Sequence, residues 1–226
     1  PDSVTDDFDS TVQDISKTSL KKKVKFGKNV LIGKNVKIGK NSLISSYCII
    51  ESNVSIGENC VIGSFVTIKN SLILDNVHIQ DGSKIGVKGF GFMPIKNKNI
   101  RTPHIGKVIL EEGAEIGANS TIDRGSLTDT IIGKNTFLDN QVHVAHNVQI
   151  GKNCMIAGQV GFAGSTTIGD NVVIGGQAGV SGHLKIGNNV KIGGGSGVIN
   201  NIPDNHQVMG YPAVSLKEFV KQRKSK

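Results

Sequence analysis

Gly133-Lys134-Asn135-Thr136-Phe137-Leu138-Asp139-Asn140-Gln141-Val142-His143-Val144-Ala145-His146-Asn147-Val148-Gln149-Ile150 carries an apolar residue at every sixth position, Leu138, Val144 and Ile150. A smaller or β-branched residue, Thr136, Val142 or Val148, stands two places before each. Neither the 3.6-residue period of a helix nor a long alternating strand explains six. Short extended segments, each turning a corner, do. Working outward, the same mark recurs at Leu20, Phe26, Ile32, Ile38, Ile44, Ile50, Ile56, Ile62 and Ile68, slips by one at Ile73, Ile79 and Ile85, and is lost between Val87 and Lys107. It returns at Ile116 and Ile122, slips again, and runs from Ile132 to Val198. Triplets of the form Gly-polar-Asn follow at Gly27, Gly33, Gly39, Gly57, Gly133, Gly151, Gly169 and Gly187, and Gly and Asn are the residues that tolerate positive φ at a turn.

Three hexads close one triangular coil, and stacked coils bury each ladder of Ile and Val against its copies. The predicted fold is all-β, a parallel β-helix of hexapeptide repeats. Its extent is residues 20–202, with an excursion at 87–107, after a polar lead-in at 1–19 and before a C-terminal extension at 203–226. Leu216, Phe219 and Val220 are at helical spacing in that extension, which predicts a short α-helix. Such a core explains why 29 Gly accompany no Trp, two Tyr and eight Phe. Cys48, Cys60 and Cys154 occupy the inward position of the valines and are expected to be buried thiols.

No apolar run approaches the length of a membrane span, and the acidic start has no signal-peptide pattern, so the chain is expected to be cytoplasmic. The net charge of +8 comes mostly from turn lysines without interleaved aromatics, which speaks against nucleic-acid binding and leaves an acidic protein or phosphorylated substrate as the partner such a surface could steer.

The polar run Asp139 to Asn147 is the densest in the repeat. Gly164 lies 18 residues after His146, hence one coil along the same column, and His183 lies 37 after it, two coils and one residue further. A linear groove along one edge is the expected consequence, suited to an extended substrate. No third histidine stands one coil from His143 and His146, so no metal is expected. His78, His104 and His206 stand alone and are expected at the surface or in loops.

Gly89-Phe90-Gly91-Phe92, Thr121-Ile122-Asp123-Arg124-Gly125, Asp139-Asn140-Gln141, Ala145-His146-Asn147, Ala163-Gly164-Ser165 and Ser181-Gly182-His183, in this order, give the chain a close resemblance to the UDP-3-O-(3-hydroxyacyl)glucosamine N-acyltransferases of lipid A biosynthesis. The resemblance implies a homotrimer of left-handed β-helices with sites in the clefts between subunits. It implies His146 as general base, Asp139 as the acidic partner and the Gly164 N–H as oxyanion donor, with Asn140, Gln141, His183, Phe90 and Phe92 near the substrate. The implied co-substrate is the phosphopantetheine thioester of acyl carrier protein, the acceptor a UDP-sugar lipid precursor, and no resident cofactor is required. Members carry an N-terminal domain that grips the uracil; here only residues 1–19 precede the first coil, so that domain is expected either to lie outside this sequence or to have been lost. Lys88 and His143 depart from the usual residues at their positions. The small residues Gly193 to Gly197 further along the column favour a long acyl chain. Two other readings stand beside this one. One is a hexapeptide acyltransferase using acetyl-CoA. The other is a non-catalytic scaffold, in which the 87–107 excursion and the 139–147 polar run would have no purpose.

Overall fold

The computed structural model describes residues 9–15, 20 and 24–224; the rest of the lead-in and the last two residues lie outside the described segments. The hexads form the three faces of a prism. The first face begins at Lys25–Phe26, the second at Leu31–Ile32 and the third at Lys37–Ile38, and each strand pairs in parallel with the strand one coil away. On the second face the inward residues stack as Ile32, Ile50, Ile68, Ile85, Ile122, Val144, Phe162, Val180 and Val198. All are buried, as are Cys48, Cys60 and Cys154. Burial pushes the three thiols up, away from the reactive thiolate.

The corners explain the turn triplets. Asn35, Asn53, Asn147 and their equivalents adopt positive φ, and side-chain amides bond their copies one coil away, as Asn153 to Asn171 at 3.3 Å and Asn171 to Asn189 at 3.1 Å. One corner carries glutamines instead: Gln177 donates to Gln159 and Gln159 to Gln141, both at 2.8 Å.

Both ends of the stack are covered. Gln13–Asp14 pairs antiparallel with Leu31–Ile32, and Asp9 anchors this segment by accepting the Ser52 N–H at 2.7 Å. At the other end, Val214–Ser215 folds back on Gln207–Met209, and the helix Leu216–Lys224 follows, its start capped by Ser215 Oγ accepting the Glu218 N–H at 3.2 Å. Among the described residues no helix is long and apolar enough to cross a membrane.

The excursion after Val87 is a hairpin, Phe92–Ile95 against Lys98–Arg101, leaving the second face and returning at Val108 on the third. A shorter excursion, 126–129, leaves between Asp123 and Thr130 at the same corner. These two departures from the hexad rule frame the site.

Candidate functional site

The corner between the second and third faces turns at Ala145, His146 and Asn147, with Asn147 at φ 63°. Asn147 is held from every side. Its Nδ2 donates to the Thr128 carbonyl at 2.9 Å and to Thr128 Oγ1 at 2.7 Å, and its backbone N–H donates to Thr130 Oγ1 at 2.9 Å. Its Oδ1 accepts the Ser126 N–H at 3.1 Å and the Ser126 hydroxyl at 2.7 Å. The amide orientation is therefore fixed, and His146 Nδ1, 2.9 Å from the same Oδ1, must be the donor. That assigns the tautomer: Nδ1 carries the proton and Nε2 presents a lone pair.

Three backbone and ring contacts fix the imidazole. A Cβ at Gly164 would stand 2.7 Å from both Cε1 and Nε2 of His146, and one at Gly89 would stand 2.9 Å from His146 Cβ, so only glycine leaves room on either side. The Gly164 N–H donates no hydrogen bond among the described residues, whereas its neighbours Ala163 and Ser165 donate to Val180 and His146. The third contact is His104, whose ring meets that of His146 edge to face at 5.2 Å. His104 was expected at the surface or in a loop; it lies in a loop, and there it is buried, 7% exposed. Its Nδ1 donates to the Thr102 carbonyl at 3.1 Å, its Nε2 has no partner, and burial lowers its proton affinity. The excursion that carries it has no register, so counting hexads could not place it.

From His146 a cavity of about 700 Å³ extends over the outer side of the second face. Its floor is His143, Gly161, Gly179 and Gly197, one per coil, and Tyr211 closes the far end by lying against Gly197. Four rungs at ~4.8 Å spacing make a trough ~14 Å long. Phe90, 83% exposed, borders the other end and meets Phe92 edge to face at 4.9 Å; Arg101 lies 4.7 Å over Phe92. Of the run Gly193 to Gly197, only the last part, Gly195 to Gly197, lines the trough.

The remaining expected residues lie elsewhere in the single chain. Asp139, Asn140 and Gln141 occupy the corner between the first and second faces, the opposite edge from His146. Asp139 Oδ1 accepts the Asn140 N–H at 2.7 Å, and Asn140 Oδ1 accepts the Ala118 N–H at 2.8 Å. Asp139 borders a second cavity, about 480 Å³, on the first face with the exposed Phe137 and Met155. His183 is exposed at the His146 corner, two coils on, in the column of Asn147 and Ser165, and does not line the trough. No group of three His, Cys, Asp or Glu residues could hold a metal ion among the described residues.

His143, which the sequence marks only as a departure from the usual residue, and Asp123, to which it assigns no role, also stand at the site. His143 borders the trough, with Nδ1 2.7 Å from Thr121 Oγ1. Beneath it lies Asp123, 5% exposed, with Oδ2 4.0 Å from His143 Nε2. Burial lowers the proton affinity of His143 and pushes the Asp123 carboxyl up to about 7.

Comparison with known proteins agrees with this architecture. The bacterial transferase hexapeptide (six repeats) family matches residues 35–70, 129–164 and 165–200. A UDP-3-O-acylglucosamine N-acyltransferase of Granulibacter bethesdensis is 46% identical over 83 residues, 37% of this chain and 24% of that protein. One from Rhizobium etli is 50% identical over 80 residues, 35% of this chain and 23% of that protein. The chain thus matches about a quarter of the length of these curated relatives, and the resemblance drawn from its motifs is borne out. Among solved structures, the UDP-N-acetylglucosamine acyltransferase of Francisella novicida superposes with a TM-score of 0.77 at 24% identity, over 88% of this chain and 73% of that one. The UDP-N-acetylglucosamine O-acyltransferase of Moraxella catarrhalis gives 0.70 at 26% identity, over 88% and 77%. The fold is the left-handed parallel β-helix of these acyltransferases.

Proposed function

We propose that this hexapeptide-repeat β-helix, similar to the UDP-3-O-acylglucosamine N-acyltransferases, moves a 3-hydroxyacyl chain from acyl carrier protein to the 2-amino group of a UDP-3-O-acylglucosamine. The observation that carries the reading is the state of His146: a tautomer fixed by Asn147, an open Nε2, and an unengaged Gly164 N–H beside it. Acyl transfer to an amine uses both groups. As the amine nitrogen attacks the thioester carbonyl, His146 Nε2 takes its proton and the Gly164 N–H donates to the oxyanion. Collapse forms the amide, breaks the carbon–sulfur bond, and returns the proton from His146 to the departing thiolate. No covalent acyl-enzyme is needed.

The glycine-floored trough suits the acyl tail. Each methylene buried there contributes ~0.8 kcal/mol, and a cavity running three coils past His143 is far longer than an acetyl group needs, which favours a long-chain donor over acetyl-CoA. The net charge of +8, with Lys217, Lys221, Arg223 and Lys224 on the terminal helix, favours docking of an acidic carrier protein.

Asp139 and His146 stand on opposite corners, so one chain alone does not bring them together. In a homotrimer that sets the His146 corner of one copy against the first face of the next, Asp139 and its apolar neighbours Phe137 and Met155 border the same cleft. The test is transfer of a 3-hydroxyacyl group from acyl carrier protein to UDP-3-O-acylglucosamine by the wild-type chain, His146→Ala and Asp139→Ala. Each variant alone is expected to lose ~100-fold or more, and mixed trimers of the two are expected to recover part of the rate. Full activity of His146→Ala overturns the mechanism, acetyl-CoA as the better donor overturns the substrate, and no recovery on mixing overturns the shared cleft.

A further inference from the structure

We infer that the buried carboxylate of Asp123 seats the ammonium group of the incoming amino sugar and takes its first proton, an assignment that rests on the N-acyl transfer proposed above. An amine acceptor must lose two protons where a hydroxyl loses one. It arrives as R–NH3⁺, which has no lone pair with which to attack. One proton must leave before the carbon–nitrogen bond forms, and a second as it forms. His146, with a single open nitrogen, serves the second step.

Asp123 has the properties the first step requires. It follows Thr121 and Ile122 on the strand of the second face immediately before that of His143, so it lies within one coil of the trough and beside the His146 corner. Its carboxyl receives no hydrogen bond from the described residues, and its side chain is 8% exposed, with Oδ2 4.0 Å from Nε2 of His143, which lines the trough. A buried carboxylate without donors needs a cation. The groups around it do not supply one at close range. His143, 4.0 Å away and half exposed, has its proton affinity lowered by desolvation; Arg124, the next residue, turns its Nε to the Gly106 carbonyl at 2.8 Å; His104, whose proton affinity burial also lowers, meets His146 edge to face further round the corner. Lys88 follows Val87, the residue in register with Asp123 at the strand end. The position is left for an ammonium from outside.

The proton balance is R–NH3⁺ plus Asp123–COO⁻ giving R–NH2 plus Asp123–COOH. Burial pushes the Asp123 carboxyl up to about 7, close to the ~7.7–8.0 of an α-amino group, so the exchange is nearly even in energy. After the amide has formed, Asp123 returns its proton to water as product leaves.

The experiment compares kcat/KM of the wild-type chain and Asp123→Asn for the UDP-3-O-acylglucosamine acceptor between pH 6.5 and pH 9. The expected loss is ~100-fold at pH 6.5, shrinking to less than about fivefold at pH 9, where the acceptor is already a free amine. A loss of equal size at every pH, or no loss, overturns the assignment. Should Asp123→Asn fold poorly, the wild-type carboxyl is titrated by ¹³C NMR with and without the amino-sugar acceptor. The ammonium is expected to lower its midpoint, and an unmoved midpoint overturns the assignment. Absence of N-acyl transfer by the wild-type chain would instead sink the functional reading itself.

Discussion

The imidazole of His146 lies so close to Gly164 that a methyl group there would stand 2.7 Å from both Cε1 and Nε2. The ring cannot retreat freely, because Asn147 holds Nδ1 and His104 and Gly89 close the other side. Gly164→Ala is therefore expected to tilt the base by a few tenths of an ångström or more and to cut kcat ~10- to 100-fold. Little change in thermal stability should accompany it, since the corner is at the surface. An unchanged kcat would show that the ring position does not matter.

Asn147→Ala removes the acceptor that assigns the His146 tautomer, together with the bonds to Thr128 and Ser126. Two effects should separate. The 126–129 excursion loosens, costing ~0.5–1.5 kcal/mol of stability for each bond lost by these exposed and half-buried groups. The imidazole becomes a mixture of tautomers, and kcat falls while KM for the acyl donor barely moves. Imidazole ¹⁵N chemical shifts report the tautomer directly: the wild-type ring should show Nδ1 protonated. A wild-type ring protonated at Nε2 would remove the proposed base.

Much of this was legible because a period of six turns burial into counting. Cys48 and Val30 lie inside because of where they fall in the hexad, and the same arithmetic sets Gly164 beside His146. Counting fails where the register breaks. His104 reaches His146 only because the 87–107 excursion folds back on the corner it left, and Ser126 and Thr128 reach Asn147 from a second excursion that showed in the sequence only as a slip. Gly179 and Tyr211 were missed for a different reason. An outward glycine looks like any other until its neighbours in register, Gly161 and Gly197, are also seen to be bare and the returning C-terminal segment lays Tyr211 across the end. Asp123 sits at an outward position of its hexad, where a carboxylate is ordinarily solvated. Its burial, 5% exposed, is not read from the hexad, although the register that pairs Thr121 with His143 brings His143 within 4.0 Å of it.

Gly179 is the middle rung of the trough, and a Cβ there would meet no atom within 4 Å. Gly179→Leu should fold normally while its side chain fills the space over the floor. Donors long enough to pass that rung should then lose the burial of the methylenes beyond it, ~0.8 kcal/mol or about fourfold in kcat/KM for each. Shorter donors should be little affected. Rates with a series of 3-hydroxyacyl carrier-protein thioesters would show the preferred length moving down, and an unmoved preference would place the acyl tail elsewhere.

The Asp123 carboxyl also has a consequence for stability that does not depend on catalysis. Its value of about 7 in the folded chain lies above the 3.8 of the unfolded chain, so the folded state holds the proton more tightly. Between those values the unfolded chain has released the proton and the folded chain has not; stability therefore falls as pH rises from about 4 to about 7 and is level above. The difference of about three pH units corresponds to at most about 4 kcal/mol at 1.36 kcal/mol per unit. Asp123→Asn has nothing to ionise and escapes this cost. Its melting temperature is expected to match that of the wild type at pH 4 and to exceed it at pH 8, a gain of stability bought with the loss of amine transfer. Equal melting temperatures at both pH values would mean that the carboxyl is not strained in the folded chain and would remove the reason to expect a cation there.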